Sequence, residues 1–358
     1  MPMPTLLETT VAQIQPLDPH LAVQAQQHLD HLTKPPGSLG RLEELARRYV
    51  AITGMVPPHI ARKAVIVFAA DHGVTAEGVS AYPQEVTGQM LLNFARGGAA
   101  INVLARQANA RVVVVDMGIA EALPAGSAPE IRVHRIGAGT ASFAHGPAMT
   151  HAQAAAALAV GAALAAELAG DGVGLIGIGD MGIGNTTASS ALAAVFTGAP
   201  PEEVTGRGTG IDDETFRRKV DVIRRGLAVN RPDARDVVDA LAKVGGFEIA
   251  GLAGVVLGAA AARVPVVVDG FITSVAALAA VRLAPPAAGY LIASHRSVEG
   301  GHRLVLQALG IKPLLDLELR LGEGSGAALA MPLIDAALAI AAEMATFESA
   351  GVSGASGN

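Results

Sequence analysis

The chain has 358 residues, of which 51% are hydrophobic and 16% are charged, and this composition excludes a disordered protein. It contains no cysteine, which excludes disulfides, zinc–thiolate sites, iron–sulfur clusters and thiol nucleophiles. The formal net charge is −6, and the basic residues are dispersed rather than gathered on an aromatic-rich surface. We therefore expect no nucleic-acid partner.

The first 15 residues lack the basic start and the apolar stretch of a signal peptide. The longest uncharged runs, Ala154–Ala166 and Ile249–Ala262, are too short and too rich in Ala and Gly to cross a bilayer comfortably. We expect a soluble, cytoplasmic protein that has no membrane partner.

The two chain ends predict helices. Residues 1–50 indicate a helix, a break at Lys34–Pro36 and a second helix, because two successive prolines are incompatible with helix. The run Ala327–Thr346 is helical again. We expect residues 1–50 and 300–350 to form a smaller helical domain, residues 51–299 to form a large α/β domain, and residues 351–358 to be a disordered tail.

Five short apolar runs, rich in β-branched residues, occupy residues 64–70, 111–115, 173–179, 264–268 and 290–293. Such runs are typical of strands that are buried on both faces. Helical stretches separate them, at Glu85–Gln107, His151–Ala169 and Thr215–Asn230. This alternation predicts an α/β fold in which helices flank a parallel sheet.

Polar residues follow each of these strands. In parallel sheets, ligands bind beyond the carboxyl ends of the strands. We therefore expect one pocket to be surrounded by Asp71, His72, Asp116, Asp180, Asp269 and Ser294.

Two glycine-rich loops precede helical stretches. The segment Gly177–Thr187 follows a strand and indicates an anion site at a helix N-terminus, best suited to phosphate, although a tight turn without a ligand is the alternative. The segment Thr205–Glu214 either wraps a phosphate or ribose or is a plain loop, and Asp212 or Asp213 is expected to cap the following helix. Lys219 is placed to reach an anion or to lie on the surface.

Three further features bear on chemistry. The irregular stretch Ala70–Thr87 resembles a substrate-binding loop, in which Tyr82 is suited to stack on a flat ring.

One interpretation of His295, Glu299 and His302 is a metal site. Their spacing is not a standard metal signature, however, and capping or hydrogen bonding is favoured. The strand-end residues Asp71, His72, Asp116 and Asp269, with His295, support an alternative function as a metal-dependent phosphohydrolase or sugar-phosphate enzyme.

Glu323 is a lone carboxylate on a loop between Gly322 and Gly324, and a nearly neutral helix follows it. In an apolar pocket its pKa would rise, and it would be a usable base near neutral pH. The competing interpretation is an acid that interacts with the positive end of the helix dipole.

Six motifs together resemble the nicotinate-nucleotide–dimethylbenzimidazole phosphoribosyltransferase family, which helps to build the lower nucleotide loop of cobalamin. In chain order they are KPPGSLGRLE, ADHGV with EGV, GIGNTT, KVGGFEIAGLAG, VVDGF and RLGEGSGAALAMP. The similarity extends from about Lys34 to Met344.

The resemblance implies a Rossmann-like sheet, a small helical domain built from both chain ends, and a homodimer that needs neither metal nor cofactor. It implies that nicotinate mononucleotide and 5,6-dimethylbenzimidazole react to give nicotinate and α-ribazole 5′-phosphate, with inversion at C1′. The catalytic base falls on Glu323, and positions for the aromatic base fall on Tyr82 and Met90. Positions for the nucleotide phosphate and ribose fall on Asp180, Met181, Gly182, Ile183, Gly184, Asn185, Gly208, Lys219 and Ser297.

The chain differs from many family members at Asp180, where the resemblance leads us to expect Glu. Tyr82 and Met90 replace smaller or polar residues of some relatives, so the preferred aromatic base stays open. A non-catalytic sensor of the nucleotide is a third reading of the same residues.

Overall fold

The computed structural model describes residues 5–124 and 126–353. Within them, six strands form one sheet: β1 (Arg62–Ala70), β2 (Ala110–Gly118), β3 (Arg132–Val133), β4 (Val173–Met181), β5 (Val266–Val268) and β6 (Leu291–Ala293). All pairs are parallel and the order is β3-β2-β1-β4-β5-β6. The predicted parallel sheet is thus confirmed, and the two-residue strand β3 is an element that apolar patterning did not predict. The strand order reverses direction between β1 and β4, which is the ligand-binding position in folds of this type.

Helices flank both faces of the sheet. Their bounds are α1 (Leu6–Gln13), α2 (Pro19–His31), α3 (Arg41–Thr53), α4 (Val86–Ala95), α5 (Ala100–Gln107), α6 (His151–Gly170), α7 (Asn185–Thr197), α8 (Pro201–Val204), α9 (Asp213–Asn230), α10 (Val237–Val244), α11 (Phe247–Ala261), α12 (Phe271–Leu283), α13 (His302–Leu309), α14 (Ser325–Glu343) and α15 (Phe347–Ala350).

Two expected helices are each divided in two. The stretch Glu85–Gln107 breaks at Gly97, which adopts φ 75°, and Asn102 caps the new start by accepting from the Ala99 backbone N–H. The N-terminal segment contains α1 and α2 because Asp18 caps a new helix whose first residue is Pro19. Local capping therefore ends helices that the apolar pattern alone would continue.

Side chains on β1 alternate between two cores. Ile66 and Phe68 belong to the core under α6, α7, α11 and α12, whereas Val65 and Val67 belong to the core under α2, α3 and α14. Both faces of this central strand are fully buried, as its continuous apolar run predicts.

The helices α6 and α11 approach closely because glycines lie at their contact. A Cβ added to Gly161 would lie 1.8 Å from the Gly251 carbonyl oxygen, and one added to Gly254 would lie 2.0 Å from the Leu158 carbonyl oxygen. The abundance of Ala and Gly thus serves a core of tightly packed helices.

Helices from both chain ends pack together. His28 on α2 forms a hydrogen bond of 2.7 Å with the Ala341 carbonyl oxygen on α14, and Lys34 pairs with Glu43 at 2.8 Å. The helices α1 and α13 pack instead into the opposite core. The division into residues 1–50 plus 300–350 and 51–299 stays a prediction, and residues 354–358 of the expected tail lie outside the described residues.

Two helices of the described chain, α6 and α14, have 20 and 19 residues and are long and apolar enough to cross a membrane. The helix α6 extends beyond the uncharged run Ala154–Ala166 at both ends, and α14 contains neither of the uncharged runs named above. Within the protein, 44% and 56% of their most apolar windows are buried. Helices in the core of a folded domain have the same character.

Candidate active site

A cavity of about 520 Å³ lies beyond the carboxyl ends of β1, β4 and β5. It is thus located at the reversal of strand order, where the fold predicts a ligand site. Three helices, α7, α12 and α14, begin at its wall. The lining residues are Val79, Ser80, Tyr82, Val86, Met90, Asp180, Met181, Gly182, Ile183, Gly184, Asn185, Thr186, Gly208, Thr209, Gly270, Phe271, Ile272, His295, Ser297, Glu299, Arg320, Leu321, Gly322 and Glu323.

The first glycine-rich loop joins β4 to α7. A Cβ at Gly182 would lie 2.5 Å from the Ala70 carbonyl oxygen, and Gly184 adopts φ 95°, so neither position accepts a side chain readily. The Ile183 N–H donates to the Thr87 hydroxyl at 3.1 Å, which fastens the loop to α4. The loop therefore presents backbone and a helix N-terminus to the cavity, an arrangement suited to an anion.

Asp180 ends β4 beneath this loop and is 5% exposed. Its Oδ2 accepts from the Asn185 side-chain amide at 3.0 Å. Burial, followed by the charges of Asp269 and Glu248, raises the pKa of Asp180 well above its usual range. Its shorter side chain is thus held against the start of α7.

The second glycine-rich loop meets the cavity at Gly208, where φ is 50°. The Gly208 N–H donates to Glu299 Oε1 at 3.0 Å, and its carbonyl oxygen accepts from Arg320 Nη1 at 3.1 Å. Both partners also line the cavity. The loop is therefore held from two sides.

Lys219 is not among the residues that line the cavity, although it contacts one of them, Thr186. The residue is buried, and its Nζ donates to the Thr186 hydroxyl at 2.9 Å and to the Gly206 carbonyl oxygen at 3.2 Å. Burial lowers the pKa of Lys219 to about 8. It thus lies one layer behind the residues that line the cavity, neither on the surface nor at the site itself.

The other expected substrate residues line the cavity from different sides. Ser297 is buried, and its N–H donates to His302 Nδ1 at 2.9 Å. Tyr82 is 55% exposed and lies at the rim, whereas Met90 on α4 is partly buried. Tyr82 and Met90 thus add apolar surface to the wall that the glycine-rich loops also form.

Glu323 lies in the loop that precedes α14 and is 6% exposed. Gly322, Glu323 and Gly324 all adopt positive φ, of 82°, 63° and 87°. The loop packs closely on β4, since a Cβ at Gly179 would lie 2.3 Å from the Glu323 carbonyl carbon. Burial raises the pKa of the Glu323 carboxyl, an effect that the Ile101 N–H partly opposes. A buried carboxylate with this shift has the properties of a general base.

The expectation that six strand-end residues surround the pocket was wrong for five of them; Asp180 lines the cavity. The other five form buried hydrogen bonds: Asp71 with the Ala120 N–H, His72 with Glu248, Asp116 with the Gly118 and Ile119 N–H groups and Arg135, Asp269 with the start of α14, and Ser294 with the Asp269 carbonyl oxygen. Polar residues at strand ends must satisfy the backbone of the following loops, a demand that the sequence pattern does not reveal.

His295, Glu299 and His302 do not share a helix face, because α13 begins only at His302. The His302 Nε2 lies 3.0 Å from the Ser274 hydroxyl, and burial lowers the pKa of His302 to about 3. Among residues 5–124 and 126–353, no group of three or more His, Asp or Glu side chains is arranged to hold a metal ion. Glu299 and His302 form hydrogen bonds of the kind that the capping and hydrogen-bonding interpretation expects.

Arg320 lines the cavity, although the sequence analysis assigned it no role. It is the first residue of the motif that contains Glu323, and its position in that motif was the available signal. Thr186 lines the cavity as well, within the segment Gly177–Thr187 that was expected to form an anion site.

Comparisons with known proteins agree with one another. The family model described as phosphoribosyltransferase matches residues 14–352. A nicotinate-nucleotide–dimethylbenzimidazole phosphoribosyltransferase from Geobacter sulfurreducens is 58% identical over 97% of this chain and 98% of the relative. One of the same name from Chloroflexus aggregans is 57% identical over 98% of each. The crystal structure of the Thermus thermophilus protein of this name has a TM-score of 0.89 and 49% identity, over 94% of this chain and 100% of that one.

Proposed function

This chain belongs to the phosphoribosyltransferase family, and we propose that it transfers the 5-phosphoribosyl group of nicotinate mononucleotide to 5,6-dimethylbenzimidazole. The products are nicotinate and α-ribazole 5′-phosphate, a unit of the lower nucleotide loop of cobalamin. The observation that carries the proposal is a buried carboxylate, Glu323, in the same cavity as a glycine-rich helix N-terminus.

The nucleotide is proposed to bind along the glycine-rich loops. Its phosphate suits the start of α7, because backbone N–H groups and the helix dipole both favour an anion there. The start of α12, at Gly270 and Phe271, adds a second helix N-terminus to the same wall. Lys219 supports this subsite from behind, by holding Thr186 and the carbonyl oxygen of Gly206 with a buried positive charge.

The acceptor base is proposed to lie between Tyr82, Met90 and Glu323. Apolar side chains on this side suit a flat aromatic ring, and Tyr82 can cover one face of it. The lone pair of one ring nitrogen attacks C1′ while the bond between C1′ and the pyridinium nitrogen breaks. The electron pair of that bond stays on nicotinate, so a cationic leaving group departs as a neutral ring nitrogen.

Attack from the face opposite nicotinate inverts C1′ and leaves a positive charge on the new α-linked ring. The second ring nitrogen then carries an acidic N–H, and Glu323 accepts that proton. A base in this role contributes about 10²–10⁴-fold to the rate. The buried carboxylate also favours the positive charge that develops on the attacking ring.

We also propose that the protein is a homodimer, as the resemblance to this family implies, and that it is cytoplasmic. Neither feature enters the chemistry described above.

The test mixes the purified protein with nicotinate mononucleotide and 5,6-dimethylbenzimidazole in the presence of EDTA. Mass spectrometry should detect free nicotinate and ribazole phosphate, and NMR coupling at C1′ should identify the α-anomer. Benzimidazole, a phenol and adenine serve as further acceptors. Failure to form product with any of the four acceptors would overturn the proposal, and a β-anomer would overturn the inversion.

A further inference from the structure

Asp269 is a buried carboxylate at the end of β5 that the reaction itself does not use. It is 1% exposed, and it accepts three backbone N–H groups from the start of α14. Its Oδ2 accepts from Gly324 at 3.0 Å, and its Oδ1 accepts from Gly326 at 2.6 Å and from Ala327 at 3.1 Å. The first amides of a helix have no partner within the helix, so Asp269 supplies that partner from another element.

These hydrogen bonds begin one residue after Glu323. A left-handed backbone costs a non-glycine residue roughly 1–2 kcal/mol, so Glu323 at φ 63° persists only if its surroundings hold it. The Glu323 N–H donates to the Asp180 carbonyl oxygen at 3.3 Å on one side, and Asp269 holds the Gly324 N–H on the other. The loop is therefore fastened on both sides of the carboxylate.

The surroundings of Asp269 prevent it from moving away. The Ser294 hydroxyl donates to its carbonyl oxygen at 2.9 Å, and His295 Nε2 lies 3.7 Å from its Oδ1. A Cβ at Gly326 would lie 2.1 Å from His295 Cδ2 and 2.8 Å from Asp269 Oδ1, so the start of α14 sits directly against this pair.

We propose that Asp269 is a positioning residue for the reaction: it fixes the start of α14 so that Glu323 faces the acceptor base. The inference rests on the proposed function, because it assigns Asp269 a task in that reaction. It predicts that loss of Asp269 lowers the rate of the chemical step more than it lowers nucleotide binding.

The test is Asp269→Asn, with Asp116→Asn as its matched control. Asp116 also lies near the end of a strand and accepts backbone N–H groups, from Gly118 and Ile119, but those groups do not belong to the loop that carries Glu323. We expect Asp269→Asn to lower kcat about 10- to 100-fold, because a small misplacement of a reacting group costs up to about 10²-fold. The Kd for nicotinate mononucleotide should stay within about twofold, because the glycine-rich loops that line the nucleotide side of the cavity are not altered.

Asp116→Asn should lower thermal stability and leave kcat as in the wild type. The proposal is overturned by an unchanged kcat in Asp269→Asn, or by a loss of nucleotide affinity that parallels the loss of kcat. If Asp269→Asn does not fold, Asp269→Glu replaces it. That variant keeps the charge but not the geometry, so kcat should fall while the Kd is maintained, and an unchanged kcat would overturn the proposal. A wild-type protein that forms no product in the same assay would instead refute the proposed function.

Discussion

The starts of α7 and α14 have the same local structure and opposite electrostatic roles. Each helix begins after a glycine with positive φ, Gly184 at 95° and Gly324 at 87°, and each meets the same cavity. At α14, Asp269 occupies the first amides. At α7, among the described residues, no carboxylate accepts a hydrogen bond from the first amides, and Asp180 binds the Asn185 side chain instead.

This difference separates the two tasks of the site. A helix start whose amides have no built-in anion can receive the phosphate of a substrate. At α14 the first amides are already bound by Asp269, so this helix start does not compete for the phosphate. It can instead carry a second carboxylate, Glu323, in the loop that precedes it. In the proposed reaction, the α7 end binds the phosphate of the nucleotide and the α14 end places Glu323 beside the acceptor base.

Glu323→Gln tests the role of the α14 end most directly. Loss of the base should lower kcat by about 10²–10⁴-fold, with folding retained, because the amide keeps the shape of the side chain. Steady-state product formation and circular dichroism measure the two effects. Glu318→Gln is the matched control, since Glu318 has the same left-handed backbone, at φ 56°, but is exposed. Wild-type turnover in Glu323→Gln would remove Glu323 as the base.

The kcat–pH profile tests the same role through the titration of the Glu323 carboxyl. Glu323 must be ionised to accept a proton, and burial raises its pKa, so activity should fall as the pH drops through a value above the usual range of a glutamate. Each pH unit below that value should lower kcat about tenfold, because the fraction of ionised base falls tenfold per pH unit. An acid limb within the usual glutamate range would contradict the buried environment, and a limb that survives in Glu323→Gln would belong to another group.

Gly184→Ala tests the α7 end. A Cβ there would lie 2.9 Å from Thr75 Cγ2 in a left-handed backbone, so the loop must shift. The Kd for nicotinate mononucleotide should rise by roughly 10- to 100-fold, because a displacement of this kind misplaces the groups that bind the phosphate. Gly198→Ala at the other end of α7 is the control: it has φ 73° and nothing within 4 Å of the added Cβ. Equal effects of the two variants on the Kd would show that only helix stability is involved.

Lys219→Met tests whether nucleotide binding at the start of α7 depends on the buried positive charge of Lys219. The variant removes two hydrogen bonds and a buried charge. The Kd for the nucleotide should rise by about tenfold, as expected for lost hydrogen bonds to a charged group. Lys243→Met, which breaks an ion pair with Asp239 outside the cavity, should leave the Kd unchanged. An unchanged Kd in Lys219→Met would limit this lysine to packing.

The sequence predicted most of the sheet because strands buried on both faces leave long apolar runs, as in β1 and β4. Glycine spacing also drew attention to Glu323 and to the α7 loop, both of which line the cavity, because glycine permits backbone conformations that other residues rarely adopt. It failed at Asp269, Asp71 and Asp116, where position at a strand end was mistaken for position in the pocket. Side-chain direction there depends on which loop amides need partners, and those amides come from distant parts of the chain.

Lys219 illustrates a different limit. A lysine one turn into a helix is compatible with a surface position or an anion contact, and the sequence kept both open. The structure instead buries it behind Thr186 and Gly206. That outcome depends on how the second glycine-rich loop folds over α9, a tertiary contact that local periodicity does not record.

Tyr82→Ala measures the smallest contribution, from the exposed rim of the cavity. Tyr82 is 55% exposed, so it can stack on one face of the acceptor base but leaves that base accessible to water. An aromatic contact of this type contributes about 0.5–1.5 kcal/mol, so the KM for 5,6-dimethylbenzimidazole should rise by about three- to tenfold. The Kd for the nucleotide and the acid limb should stay unchanged, because neither helix start is altered. A change in the Kd for the nucleotide without a change in the KM for 5,6-dimethylbenzimidazole would assign Tyr82 to the nucleotide subsite. The orientation of the acceptor base would then depend on Met90 and Val86.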